Sequence, residues 1–147
     1  TLLYSTARLK IISTFSVLLL AVVIIGPERV NMISYCVFMF YALQYKRGVN
    51  AGVIDLFRIK PIDGKALADL LSDHDAVVTV EEQSLEGGMG SAILEVAADH
   101  NILKPVRRLG MRDGYAVING DRDSLHELYE IDTRHIVSAA LGLAERF

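Results

Sequence analysis

An α/β fold, a small and mostly parallel sheet with helices on both faces, is predicted by the later two thirds of this sequence, and three observations predict it. Short apolar runs rich in Val and Ile recur along the chain, as strands buried on both faces require. Between them lie stretches whose apolar residues return every three or four positions, as one face of a helix does. Pro, Gly and Asp stand where one pattern gives way to the other. Strands alternating with helices in this way imply right-handed crossovers and a parallel sheet.

Composition changes near residue 46. Before it, Ile11 to Ile25 is almost wholly apolar, and Val30 to Tyr45 adds Cys36, Phe38, Met39, Phe40 and Tyr41 with few charges. Residues 1–46 are therefore read as an apolar stretch supplying the first strand and helix of the same domain, and residues 47–147 as its main body. The run of about 15 residues after Arg8 and Lys10 also invites a membrane reading, but a span needs about 20 residues, so buried strand and helix is the better account.

From Gly52 to Arg58 a short run with Val53, Ile54, Leu56 and Phe57 predicts a strand, and Lys60 is pushed into extended backbone by Pro61. Asp63 is placed to cap a helix running through Lys65 to Asp73, with Ala66, Leu67, Leu70 and Leu71 on one face. A second strand covers Ala76 to Val80 and ends at Glu81 and Glu82. Gly87, Gly88 and Gly90 then turn the chain into a helix from about Ser91 to His100, carrying Ile93, Leu94, Val96 and Ala97. Val106 to Met111 follows Pro105 as a third strand. A short helix over Asp123 to Tyr129 precedes Asp132, the expected N-cap of a last helix with Ile136, Val137, Ala140, Leu141 and Leu143.

The 147 residues suit one domain with a proper core. A formal net charge of -3 without clustered Lys and Arg excludes a nucleic-acid partner. Cys36, the single cysteine, allows neither an internal disulfide nor a multi-cysteine metal site, which fits a cytoplasmic location. Beginning at Thr1, the chain is expected to be part of a longer polypeptide.

Four segments in order carry a resemblance to a known family: GVIDLFRIKPID (Gly52 to Asp63), VVTVEEQSLEGGMGSAILE (Val77 to Glu95), RRLGMRDGY (Arg107 to Tyr115) and LHELYEIDTRHIVSAA (Leu125 to Ala140). Together they resemble the C-terminal domain of transketolase-like, thiamine-diphosphate-dependent enzymes, including the separate C-terminal subunit of split transketolases and the 2-oxoacid dehydrogenase β subunits. FRIKPID leans toward transketolase. The resemblance implies a third, non-cofactor-binding domain that supports a dimer. The whole enzyme would move a two-carbon ketol unit between sugar phosphates in the pentose phosphate pathway, with thiamine diphosphate and a divalent metal held by its other domains or subunit. The alternative is the tail of a 2-oxoacid dehydrogenase β subunit or another non-catalytic assembly module.

Against the family pattern, this chain lacks the Gly-Asp-Gly and paired asparagines of the diphosphate site. Gly120 and Asp121 come nearest, but Arg122 follows. An activating glutamate has no counterpart either, so no catalytic, cofactor-binding or metal residue is assigned, and the chain alone is expected to catalyse nothing. The family's first strand matches either Leu9 to Val17, where Phe15 replaces a glycine, or Ala21 to Gly26 followed by a helix over Asn31 to Arg47. Both placements stay open. The excess of Phe, Tyr, Met and Ile before residue 46 is expected to serve packing against partner domains or a second copy.

Several candidate sites remain to be weighed. The turn Gly87, Gly88, Met89, Gly90, Ser91 could hold a phosphate at a helix N-terminus. However, Glu81, Glu82 and Glu86 would repel an anion and no P-loop lysine is present, so a tight turn packed against a partner domain is preferred. Glu81 and Glu82 point to opposite faces of a strand, which excludes a paired acid and base and favours hydrogen bonds across an interface. His74, His100, His126 and His135 lack metal-pair spacing and read as surface or capping residues. Ser84, Ser91 and Ser138 lack a nucleophile elbow, and Cys36 lies in apolar sequence where a thiol is inert.

Overall fold

The structure, a computed structural model, describes residues 20–25, 49–114 and 119–146. Four strands form one parallel sheet: β1 (Leu20–Ile25), β2 (Asn50–Asp55), β3 (Ala76–Ser84) and β4 (Val106–Met111). Their order is β2-β1-β3-β4. Among the described residues four helices accompany them: α1 (Gly64–Ser72), α2 (Met89–Asp99), α3 (Arg122–Leu128) and α4 (Thr133–Ala144). This is the predicted α/β architecture.

The first described strand is that of the second placement, starting at Leu20. It lies between β2 and β3, and its LAVVII sequence is the unbroken apolar run that a central parallel strand needs. The other placement, Leu9 to Val17, lies outside the described residues, as do the helix over Asn31 to Arg47, Cys36 and every Phe, Tyr and Met before residue 46. Pairing corrects the ends of β2. Its register runs from Leu20 opposite Asn50 to Ile25 opposite Asp55, so the strand stops three residues before the expected Arg58. Leu56 is buried beyond it, and Phe57 is already 39% exposed.

β3 runs four residues past the expected Val80 because β4 carries the pairing onward, through a shift of register, to Ser84 opposite Met111. Its side chains alternate between two cores. Ala76, Val78 and Val80 pack with Ile136, Ala140 and Leu143 of α4. Val77 packs on the other side with Leu67 and Leu71 of α1 and Met89, Ile93 and Val96 of α2. The connections from β2 to β3 and from β3 to β4 run the same way across the sheet, so right-handed crossovers place α1 and α2 on one face.

Three helices are capped by aspartates, Asp63 and Asp132 as the sequence predicts and Asp121 in addition. Asp63 accepts from the Ala66 N–H at 3.0 Å, Asp121 from Ser124 N–H at 2.8 Å, and Asp132 from His135 N–H at 3.1 Å. α2 has no such cap from Gly88.

His74, read as a surface or capping residue, is buried at 7% exposure and caps the end of α1, donating from Nδ1 to the Leu70 carbonyl at 2.6 Å. The turn from α1 into β3 is short, so the ring following Asp73 has the sheet beneath it. Burial lowers its pKa, against the opposing pull of the Leu70 carbonyl and of Asp73 and Asp75. A depressed histidine contributes stability that is present above the unfolded value of about 6.5 and is lost as pH falls through the folded value. Denaturant unfolding from about pH 7.5 down to about 5 should therefore show falling stability, and His74→Gln should flatten that slope. Parallel slopes for the two proteins would remove His74 as the cause.

Candidate functional site

The chain leaves β1 toward β2 on one side, while β3 leads to β4 on the other, so the sheet's topological switch point lies between β1 and β3. Within the carboxyl-terminal part of β3 stand Glu81 and Glu82, toward the edge where open parallel sheets assemble their sites.

Glu81 shares a face of β3 with Val77 and Thr79 and is 2% exposed. Its carboxylate meets the amino end of α2, accepting from Met89 N–H at 2.6 Å and from Gly90 N–H at 3.0 Å. An internal anion thus satisfies donors that Gly88 has no side chain to cap. Burial pushes the Glu81 pKa up, opposed by the Gly90 and Met89 N–H groups and the Arg108 guanidinium, with Glu86 adding to the rise.

The glycines are shaped to this carboxylate. A Cβ on Gly88 would lie 2.2 Å from Glu81 Oε2 and 2.3 Å from the Ser84 carbonyl oxygen. One on Gly90 would lie 2.9 Å from Glu81 Oε1, and one on Gly110 of β4 would lie 2.9 Å from Glu81 Cγ. Positive φ falls on Gly87, at 73°, where the turn needs left-handed backbone. Arg108 closes the turn by donating to the Leu85 carbonyl at 2.9 Å and to Ser91 Oγ at 3.0 Å. Ser91 Oγ donates in turn to the Leu85 carbonyl at 2.7 Å.

Glu82 points to the other face, as strand alternation requires. Its Oε1 accepts from His126 Nε2 at 2.9 Å and from Arg122, both on α3. Arg122 and His126 are four residues apart, so one turn of helix presents both to one carboxylate. Here too the sequence reading is corrected: Glu81 and Glu82 find their hydrogen-bond partners within this chain. The glycine turn likewise packs against the chain's own Glu81, which is the anion at the helix N-terminus rather than a group repelling one.

The remaining candidates are dispersed. His100 ends α2 and is exposed, whereas His126 is buried, contrary to the surface reading, because Glu82 draws it against the sheet. His135 donates from Nδ1 to Asp132. Burial alone would raise the Asp132 pKa, but His135 and Arg134 hold it low. Asp121, of the Gly120 and Asp121 pair, is a helix cap whose pKa Ser124 lowers. Ser84 donates to Glu86 at 3.1 Å, and Ser138 lies within α4. Among the described residues no group of three or more His, Cys, Asp or Glu is arranged to hold a metal ion.

The arrangement does not fit a bound diphosphate. The α2 amides are committed to Glu81, and a second anion would meet Glu81 and Glu86 beside them. What it can do is hold one conformation of the turn. The Glu81 contact to residues eight and nine positions on was missed in the sequence, although an acid shortly before a glycine-rich helix start is a readable signal. A Cβ should consequently be tolerated very unevenly. Gly88→Ala and Gly90→Ala should each lower stability by more than about 1 kcal/mol, whereas Gly142→Ala, with nothing within 4 Å of its Cβ, should raise it by about 0.5–1 kcal/mol. Thermal melts giving the same shift for all three would contradict the role of Glu81.

Comparison with known proteins agrees with this architecture. The family model described as transketolase, C-terminal domain, matches residues 27–136. A 1-deoxy-D-xylulose-5-phosphate synthase of Vibrio vulnificus is 34% identical over 112 residues, which cover 76% of this chain and 18% of that protein. The enzyme of the same name from Vibrio campbellii is 36% identical over 74% of this chain and 17% of its own length. The chain thus spans under a fifth of the length of these relatives. A solved split-gene transketolase, an inactive β4 tetramer, superposes with a TM-score of 0.71 at 30% identity, covering 85% of this chain and 39% of that one. With the family model matching most of its length and the parallel sheet in agreement, this chain belongs to the transketolase C-terminal domain family.

Proposed function

We propose that this chain is the C-terminal assembly domain of an enzyme resembling 1-deoxy-D-xylulose-5-phosphate synthase, with catalysis and thiamine diphosphate in the other domains or subunit. The observation that carries the assembly reading is the Glu81 latch, which commits the α2 amides within the chain and leaves the glycine turn as structure. The choice of enzyme rests on the 34–36% identity to the two Vibrio synthases. Leu103, 95% exposed, and Leu128, 50% exposed, support packing against further domains or a second copy. No described helix is long and apolar enough to cross a membrane, and a cytoplasmic location belongs to this proposal.

The second reading, an enzyme moving a two-carbon ketol unit between sugar phosphates, is supported by the 30% identical split-gene transketolase. Replacing the C-terminal domain of the Vibrio vulnificus synthase with this chain should give a chimera that assembles and still forms 1-deoxy-D-xylulose 5-phosphate. An assembled but inactive chimera, beside an active chimera of a transketolase, would favour the second reading.

The isolated chain should show no saturable binding of thiamine diphosphate with magnesium in calorimetric titration. Binding in the micromolar range would place a cofactor site in this domain and defeat the assembly reading.

A further inference from the structure

Asn119 precedes Gly120 in the segment that leads into α3, and both residues are exposed. An asparagine side-chain amide can be attacked by the main-chain nitrogen of the next residue, provided that nitrogen is free and the backbone can bend toward the side chain. Glycine, with no Cβ, hinders the approach least. Among the described residues neither the Gly120 N–H nor the Asn119 side chain enters a hydrogen bond. The other described asparagines are held differently. The nitrogen after Asn101 is committed, since Ile102 N–H donates to the Ala97 carbonyl at 2.8 Å. Asn50 and Ala51 are fixed in extended backbone by pairing opposite Leu20 and Ala21 of β1.

We infer that Asn119 is a self-modification site, which deamidates as the chain ages, and that the isoaspartate formed there loosens α3 from the sheet. The Gly120 nitrogen bonds to Asn119 Cγ, the Cγ–Nδ2 bond breaks, and the side-chain nitrogen leaves as ammonia with the proton from Gly120. Water then opens the five-membered succinimide at either carbonyl. One opening gives aspartate, and the other gives isoaspartate, whose main chain runs through Cβ and Cγ and is one methylene longer. Water is the sole co-reactant. Either product adds a negative charge to a chain already at -3. The lengthened backbone falls just before Asp121, whose carboxylate caps α3 by accepting from Ser124 N–H at 2.8 Å. Gly120 rests against the same turn, because a Cβ on it would stand 3.7 Å from Ser124 Cβ and 3.9 Å from Leu125 Cγ. Displacing Gly120 therefore moves the cap of the helix that carries Arg122 and His126 to Glu82.

The test incubates the full chain at physiological temperature in mildly alkaline buffer. Intact mass, ammonia release and peptide mapping with an isoaspartate-directed carboxyl methyltransferase follow the change. Asn119 should gain one mass unit and become a methyl acceptor, while Asn50 and Asn101 stay unchanged. Gly120→Ala, whose Cβ would meet only ordinary contacts, should slow the gain severalfold, and Asn119→Gln should abolish it. The aged wild-type chain should melt about 3 °C below the fresh one, whereas aged Asn119→Gln should not fall. Absence of a mass gain at Asn119, or a faster gain at Asn50 or Asn101, overturns the site. An isoaspartate-bearing chain that melts with the fresh one overturns the link to α3.

Discussion

The buried carboxylate of Glu81 at the amino end of α2 constrains the carboxyl edge of this domain. An uncapped helix N-terminus directs several N–H groups and a partial positive charge into a low-dielectric core, where an unpaired donor costs about 1–3 kcal/mol. A carboxylate in the same core is costly without partners. Each group resolves the other's problem, with bonds of 2.6 and 3.0 Å. The glycines at 88, 90 and 110 follow from this pairing, because any side chain there would occupy the space of the carboxylate. Arg108 follows too, as its guanidinium holds the turn's Leu85 carbonyl and lies near the buried negative charge.

On the opposite face, Glu82 performs a comparable role at lower burial. Arg122 and His126 reach it from a helix forty residues further on, tying α3 to the end of β3. The two neighbouring carboxylates thus fasten two helices to the two faces of one strand, and the alternation of β3 keeps them apart. Sites of this kind at the carboxyl end of a parallel sheet are usually occupied by ligands. Here much of the hydrogen-bonding capacity is directed inward. That accords with membership of a family whose thiamine diphosphate is bound by other domains, and with a chain that covers 18% of one relative and 17% of another.

How much was legible in the sequence varies with the range of the interaction concerned. The caps at Asp63, Asp121 and Asp132 are contacts over three residues, and two of them, Asp63 and Asp132, were read directly, as was Val106–Met111 as a strand. The end of β2 was misjudged because Leu56 is apolar for the sake of the core beneath α1, while only pairing with β1 decides where the strand stops. His74 and His126 were read as surface or capping groups, and their depth was missed because a histidine's type says little about it. One is covered at the junction of α1 with the sheet and the other is drawn in by Glu82.

The sequence by itself determined the α/β class, the order of strands and helices and the family resemblance, because hydrophobic periodicity, helix caps and turn glycines act over a few residues. It also determined that Glu81 and Glu82 face opposite ways, since a strand's period of two admits nothing else. Only the tertiary structure decided where those carboxylates find partners. The Glu81 bond to α2 depends on the angle at which the helix docks on β3, and the Glu82 bonds depend on α3 folding back over forty residues of chain. Such contacts depend on the packing of whole elements, and no local pattern encodes which of several buried polar groups will meet.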